Sequence, residues 1–381
     1  MNMVRTIVAS TALWIGCALA VSGCQPPVEK LWEYWAAAPC YSSPAVGADL
    51  IVFGSENGEV HAVDKNGKLR WRFAARKDVV AAPAIAGGKV FFGSTNHNFY
   101  ALDLDGKEVW KFAALDRIKS DPLIIDDTVV FSSYDDRVYA LRANDRATVW
   151  IFPARTDLAA TSMAASIPSG PPIVAEIKPG DFSYSSPLRV GDNIVLGNLD
   201  GHLYAIDFKS GQLAWRFATD GVASKQGVTS SPAARDGVIY FGANDGNVYA
   251  LEAATRRVRW KFKTEDEVNG APTISDDGIL YVGGADRHLY ALDAATGALR
   301  WKFPTLGPVI SRPAIYQNLV IFGGGSDDQQ IYVVDRASGQ LFWSYKTGYK
   351  IEGDPAVDGN VFYIPSGDRK LYAFRINRTV K

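Results

Sequence analysis

The sequence predicts an all-β fold: an eight-bladed β-propeller of four-stranded blades, with the ring closed by the N-terminal strand completing the last blade. Three observations carry that prediction. The stretch Ala291-Leu-Asp-Ala-Ala-Thr-Gly-Ala-Leu-Arg-Trp301, with Phe303 just beyond, recurs in variant form ahead of Trp71, Trp110, Trp150, Trp215, Trp260 and Trp343. A proline opening an apolar segment follows most of these tryptophans by twelve residues, as in Trp71/Pro83, Trp110/Pro122, Trp260/Pro272, Trp301/Pro313 and Trp343/Pro355. Each unit of roughly forty residues holds four short aromatic and β-branched runs between Gly- and Asp-rich turns, which is propeller spacing.

The chain opens with an address. Arg5 supplies a positive start, Ile7 to Ala20 an apolar run too short for a membrane span, and Val21-Ser-Gly-Cys24 a small-residue cleavage site. Those four residues resemble the lipobox of bacterial lipoproteins. The resemblance implies that residues 1–23 are removed and that Cys24, carrying lipid such as palmitate, becomes the N-terminus and a membrane anchor. An ordinary secretory signal is the alternative. Gln25 differs from the aspartate tied to inner-membrane retention, so the resemblance implies an outer-membrane lipoprotein facing the periplasm. Residues 24–31 form a tether with a reach of at most about 25 Å.

The propeller is expected over residues 32–375, with a tail at 376–381. Leu31-Trp-Glu-Tyr34 is a tryptophan strand with nothing before it, and Pro44 follows Trp32 by the same twelve residues. At the other end, Pro355 opens a unit that reaches Leu371-Tyr-Ala-Phe-Arg375 and has no tryptophan strand. Joining the two ends makes eight blades and a monomeric ring without free edges at its ends.

Within a blade, the sixth shows the pattern: Pro272-Thr-Ile, Ile279-Leu-Tyr-Val-Gly, Leu289-Tyr-Ala-Leu-Asp293 and Ala298-Leu-Arg-Trp-Lys-Phe303. The indoles of Trp32, Trp71, Trp110, Trp150, Trp215, Trp260, Trp301 and Trp343 are suited to fill the wedge between blades, each N–H needing a buried acceptor. Asp and Gly serve the turn before each tryptophan strand. Arg146 and Arg256 replace that glycine in blades three and five, which predicts altered turns there. Asn57-Gly58, Asp200-Gly201 and Asp245-Gly246 recur before the third strand and read as hairpin turns rather than calcium loops. The twelve-residue step grows to thirty-seven between Trp150 and Pro187, an insertion at about 153–182, and a smaller excess lies at Asp220 to Val228. Both belong to the face that carries the fourth-to-first connections. The tether enters from the opposite face.

Composition excludes several functions. A formal net charge of −1 offers no basic field for nucleic acid. Only Cys40 lies in the body of the protein, so no internal disulfide is possible, and a packed thiol is expected. His202 and His288 hold the same place in two blades, too far apart to share a metal, and all four histidines are expected at the surface. No metal site is predicted.

The repeats resemble those of pyrroloquinoline-quinone-type β-propellers over about Trp32 to Arg375, and with the lipobox they resemble the outer-membrane barrel-assembly lipoproteins. That resemblance implies a non-catalytic scaffold that needs no cofactor and has a barrel-assembly protein as partner. Quinoprotein dehydrogenases share the ring and imply an alternative: an oxidoreductase or electron-transfer accessory holding pyrroloquinoline quinone and calcium. Their adjacent cysteine pair is missing here. The polar residues expected at the channel mouth are Lys119, Asp121, Gln226, Asn269, Arg312, Lys350, Glu352 and Asp354. A third reading is a propeller that binds envelope polysaccharide.

Overall fold

The computed structural model describes residues 26–153, 182 and 184–377. The leader, Cys24, nearly all of the insertion and residues 378–381 lie outside the described residues. Eight antiparallel sheets of four strands each form the ring. Seven are consecutive meanders. The eighth joins Ala356–Asp358, Val361–Ser366 and Lys370–Ile376 to the N-terminal strand Val28–Trp35. That closing strand begins at Val28, earlier than the expected Leu31. It sets Trp32 opposite Ala373, the register that Trp301 keeps with Ala291 inside a continuous blade.

Burial follows each strand's place in the wedge. Second and third strands are sandwiched between neighbouring blades, so Ile51–Gly54 and most of Glu59–Val63 are buried on both faces. Fourth strands lie at the rim and alternate, as Leu69–Ala74 does. The core therefore lies between blades. Val52, Val60 and Ala62 of blade 1 pack with Val90, Phe92 and Tyr100 of blade 2.

On the tether face, each tryptophan docks onto the following blade. The indole N–H of Trp32 donates to the Lys65 carbonyl at 2.9 Å, Trp71 to Leu104, Trp110 to Ala143, Trp150 to Phe208, Trp260 to Ala294 and Trp301 to Arg336. Trp215 and Trp343 make no such bond among the described residues. Trp343 faces the eighth blade, where the chain end replaces the acceptor turn, and packs on Phe374 at 5.1 Å. The turn glycine serves the same contact. Gly297 has φ +75°, and a Cβ there would lie 2.6 Å from the Trp260 indole.

Two expectations need correction. Arg146 and Arg256 keep the turn rather than altering it: both adopt φ 59°, and their N–H groups bond Arg142 and Glu252 as Gly297 bonds Asp293. His61 is fully buried rather than at the surface. It occupies the tyrosine position of blade 1, stacked on Phe53 at 5.2 Å, with Tyr34 of the closing strand 3.2 Å from its Nδ1 and the Ser55 hydroxyl 3.1 Å from its Nε2. Cys40 is buried as expected, and burial pushes its thiol pKa up.

Candidate functional site

The face opposite the tether is built by connections that run from each fourth strand inward to the next first strand. They enter tightly because, in all blades but the third and eighth, a glycine ending the second strand leaves room; Ser132 and Pro365 stand there in those two. A Cβ on Gly283 would lie 2.2 Å from the Val309 carbonyl, and the same holds for Gly54 against Val79. Each connection ends in a residue before a proline, and these residues form the innermost ring. In it the backbone N–H of one blade donates to the side chain of the next: Ala82 to Asp121 (2.7 Å), Asp121 to Ser186 (3.0 Å), Ser186 to Ser231 (2.9 Å), Arg312 to Asp354 (2.7 Å) and Asp354 to Ser43 (2.8 Å). The circuit breaks where the next residue is Ala82, Ala271 or Arg312. Sequence reading found Asp121, Arg312 and Asp354 but not the serines. Their signal was present, since Ser43, Ser186 and Ser231 all precede the repeat proline.

Asp121, Arg312 and Asp354 are brought together electrostatically although Asp121 and Arg312 come from opposite sides of the ring. Burial raises the pKa of Asp121, and it pushes that of Asp354 up to about 6, with the Arg312 charge opposing the rise and Asp121 adding to it. Arg312 Nε is buried without a hydrogen-bond partner.

Other candidates stand further out. Lys350 pairs with Glu352 at 2.8 Å and lies over the Tyr41 ring, while Lys119 and Arg117 lie over Tyr134. Asn269 links to Thr229 of the preceding blade at 3.1 Å. Gln226 lies outside this row. It belongs to the smaller insertion, which folds as a 3-10 turn at Asp220–Ser224 capped by Thr219, and its N–H donates to Gly221.

A second device, not anticipated from the sequence, binds blades together on this face. Hairpin aspartates accept from a third-strand tyrosine four residues on, as in Tyr204 to Asp200 (2.7 Å), Tyr290 to Asp286 (2.6 Å) and Tyr372 to Asp368 (2.6 Å). Several also hold the previous blade's connection. Asp135 accepts from the Leu115 N–H (2.8 Å), Asp328 from Leu306 (3.0 Å) and Asp368 from Gly348 (2.8 Å). Leu115 and Leu306 are thus held out at 63% and 65% exposure, and Tyr349, Tyr184 and Trp35 are exposed on the same face. Such apolar tips on an anchored backbone suit protein contact.

The model of the family described as outer membrane protein assembly factor BamB matches residues 24–110, 86–243, 199–326 and 244–378. The chain belongs to this family. BamB from Moraxella catarrhalis shares the fold at TM-score 0.73 and 18% identity, covering 91% of this chain and 99% of that one. A europium-containing methanol dehydrogenase matches at TM-score 0.76 and 15% identity over 91% and 93% of the two chains. Quinohemoprotein alcohol dehydrogenase from Comamonas testosteroni matches at 0.72 and 14% over 93% and 77%. At these identities the structures share the propeller with this BamB-family chain, and nothing finer. No curated protein sequence matches it.

The dehydrogenase likeness raises the question of a quinone with a metal. The channel residues do not fit one. Asp121 and Asp354 each commit an oxygen to a neighbouring backbone N–H, and the Arg312 charge acts on both carboxylates, which disfavours a divalent cation there. Among the described residues, no three of His, Cys, Asp and Glu group as metal ligands. No described helix is long and apolar enough to cross a membrane.

Proposed function

We propose that this chain is a non-catalytic envelope lipoprotein, anchored through Cys24 in the outer membrane and facing the periplasm, that serves as a docking scaffold in the assembly of outer-membrane β-barrel proteins. The family match over the whole propeller is the observation that carries this reading. The geometry supports it. Leu115, Leu306 and Tyr349 project from backbone clamped at Leu115, Leu306 and Gly348 by the half-buried Asp135 and Asp368 and the buried Asp328, so a partner would meet preordered side chains and little entropy would be lost on binding. A short tether entering from the other face would keep this surface turned away from the membrane. The partner is then a barrel-assembly protein.

Leu115→Glu combined with Leu306→Glu tests the surface. Co-purification of a barrel-assembly protein with the full chain is expected to fall about tenfold or more, corresponding to at least ~1.4 kcal/mol. Circular dichroism and melting temperature should stay unchanged, because both side chains are exposed. Undiminished co-purification would remove these tips from the interface. Absence of any barrel-assembly protein from the wild-type eluate would count against the whole reading.

A further inference from the structure

Among the described residues, the outer strand of blade 3 is the only outer strand without a charged side chain. The position after the tryptophan shows the contrast. Arg72, Lys111, Arg216, Lys261, Lys302 and Glu33 stand there in six blades, and blade 7 has Ser344 with Lys346 two residues on. Blade 3 has Ile151, within Thr148-Val-Trp-Ile-Phe152. All eight outer strands share a bulge ahead of this point, so the bulge does not set blade 3 apart. Charged residues are a chief means of keeping an edge strand from pairing with another chain.

The backbone at Ile151 is also uncapped. Ile151 lies opposite Tyr139 as Lys111 lies opposite Tyr100 in blade 2. There the Lys111 carbonyl points away from its own sheet and accepts from the Arg146 guanidinium at 2.7 Å, so the turn of the next blade caps that edge. In antiparallel pairing the N–H and C=O of one residue point to the same side, so both groups of Ile151 face outward. The residue of blade 4 that matches Arg146 is Gly211, whose N–H makes the same turn bond but which has no side chain to reach back. Among the described residues the strand pairs only with Arg137–Arg142, and nothing bonds these outer groups of Ile151. The side chains beside them are uncharged: Val149 is 50% exposed, Thr148 is exposed and Ile151 is half-buried.

We infer that the outer edge of blade 3 is a docking site for one uncharged, unpaired β-strand of a partner protein. The backbone selects an extended chain, because a strand carries donors and acceptors at the spacing of the edge. The side chains select its character, since a charge laid against Val149 and Ile151 would lose water and find no partner. On the scaffold reading, on which this clause rests, the strand comes from a barrel protein before closure, because only a closed barrel has no free edge. A second ring fits poorly. Two five-residue edges bury far less than the roughly 1,200 Å² of a stable pair, whereas a transient contact with one strand needs no such area.

The probe is a fluorescent peptide of about eight residues alternating valine and threonine, titrated by anisotropy against the full chain in detergent. The comparison peptide has the same sequence with every second amide N-methylated. Saturable binding is expected for the first peptide and at least tenfold weaker binding for the methylated one. Ile151→Lys, which restores the cation of blades 2, 5 and 6, should weaken binding about tenfold or more. Val149→Lys, at an exposed position, gives the same readout should Ile151→Lys lower the melting temperature. Leu341→Lys on the blade 7 rim should change binding by less than about twofold. Equal losses from the blade 3 and blade 7 variants, equal binding of both peptides, or no saturable binding would overturn the inference. So would self-association of the wild-type chain that Val149→Lys abolishes while the peptide is ignored, which would assign the edge to a second copy. Co-purification of a barrel-assembly protein tests the scaffold reading separately, so either result can fail without the other.

Discussion

At the scale of single residues, His61 shows how one substitution changes the behaviour of a repeat. Other blades place a tyrosine there, bonded to a hairpin Asp or Asn; blade 1 places an imidazole against the closing strand. Burial pushes its pKa down to about 4, below the ordinary 6.5, with Glu59 opposing the fall and Arg72 adding to it. Between those values the unfolded chain binds a proton that the folded chain refuses. Stability is therefore full above pH 6.5 and should fall by about 2–3 kcal/mol as the pH drops toward 4. His61→Phe should flatten that slope in urea titrations across this range; an unchanged slope would show that another group causes it. Glycine positions make a second contrast. Gly297→Ala should cost about 2–4 kcal/mol, because strained φ is joined by a clash with Trp260. Gly278 has φ +81° with no atom within 4 Å of its would-be Cβ, so Gly278→Ala should cost only about 1 kcal/mol. Equal losses would remove the indole's steric role. Trp301→Ala, which empties one wedge, is expected to cost about 3–5 kcal/mol.

At the scale of elements, the N-terminal strand matters most. Residues Val28–Trp35 supply the outer strand of blade 8 and bring Trp32 onto the Lys65 carbonyl and Tyr34 onto His61. Removing it would bare the edge of Lys370–Ile376 and open the wedge between blades 8 and 1. Chains lacking residues 26–35 should melt at lower temperature and self-associate on size exclusion, since an open, largely apolar edge invites pairing. A truncated chain that stays monomeric with an unchanged melting point would show that the ring does not depend on this clasp.

For the whole molecule, the inner ring is where the proposed scaffold and an oxidoreductase make different predictions. Asp354 is costly to ionise, its pKa raised to about 6 chiefly by burial, so the folded chain holds a proton that the unfolded chain has lost between about pH 4 and 6. Stability falls as pH rises through that window. Asp354→Asn keeps an acceptor for the Arg312 N–H and should stabilise the ring by about 1–2 kcal/mol at neutral pH, with the gain vanishing below about pH 4. A destabilised variant at neutral pH would mean that the charge pairing with Arg312 outweighs the burial cost. Titration of the full chain with pyrroloquinoline quinone and calcium, followed by absorbance, should show no saturation. Saturable one-to-one binding would revive the dehydrogenase reading.

Period and spacing determined the architecture. The twelve-residue step from tryptophan to proline and the orphan strands at the two ends already contain the blade count and the closure, because a repeat states its local structure eight times over. The Trp–Gly turn contact was half legible, since the sequence shows both residues but not that they meet across a blade boundary. Only the tertiary structure decided that His61 is buried, that Arg146 and Arg256 hold a glycine's conformation, and that Trp343 lacks an acceptor turn. It alone brought Asp121 and Arg312, nearly two hundred residues apart in the chain, within electrostatic reach of each other across the channel. The physical reason is that repeat spacing reports what each blade does within itself. Burial, pKa and partner geometry arise between blades, from side chains whose distance in sequence says nothing about their distance across a ring.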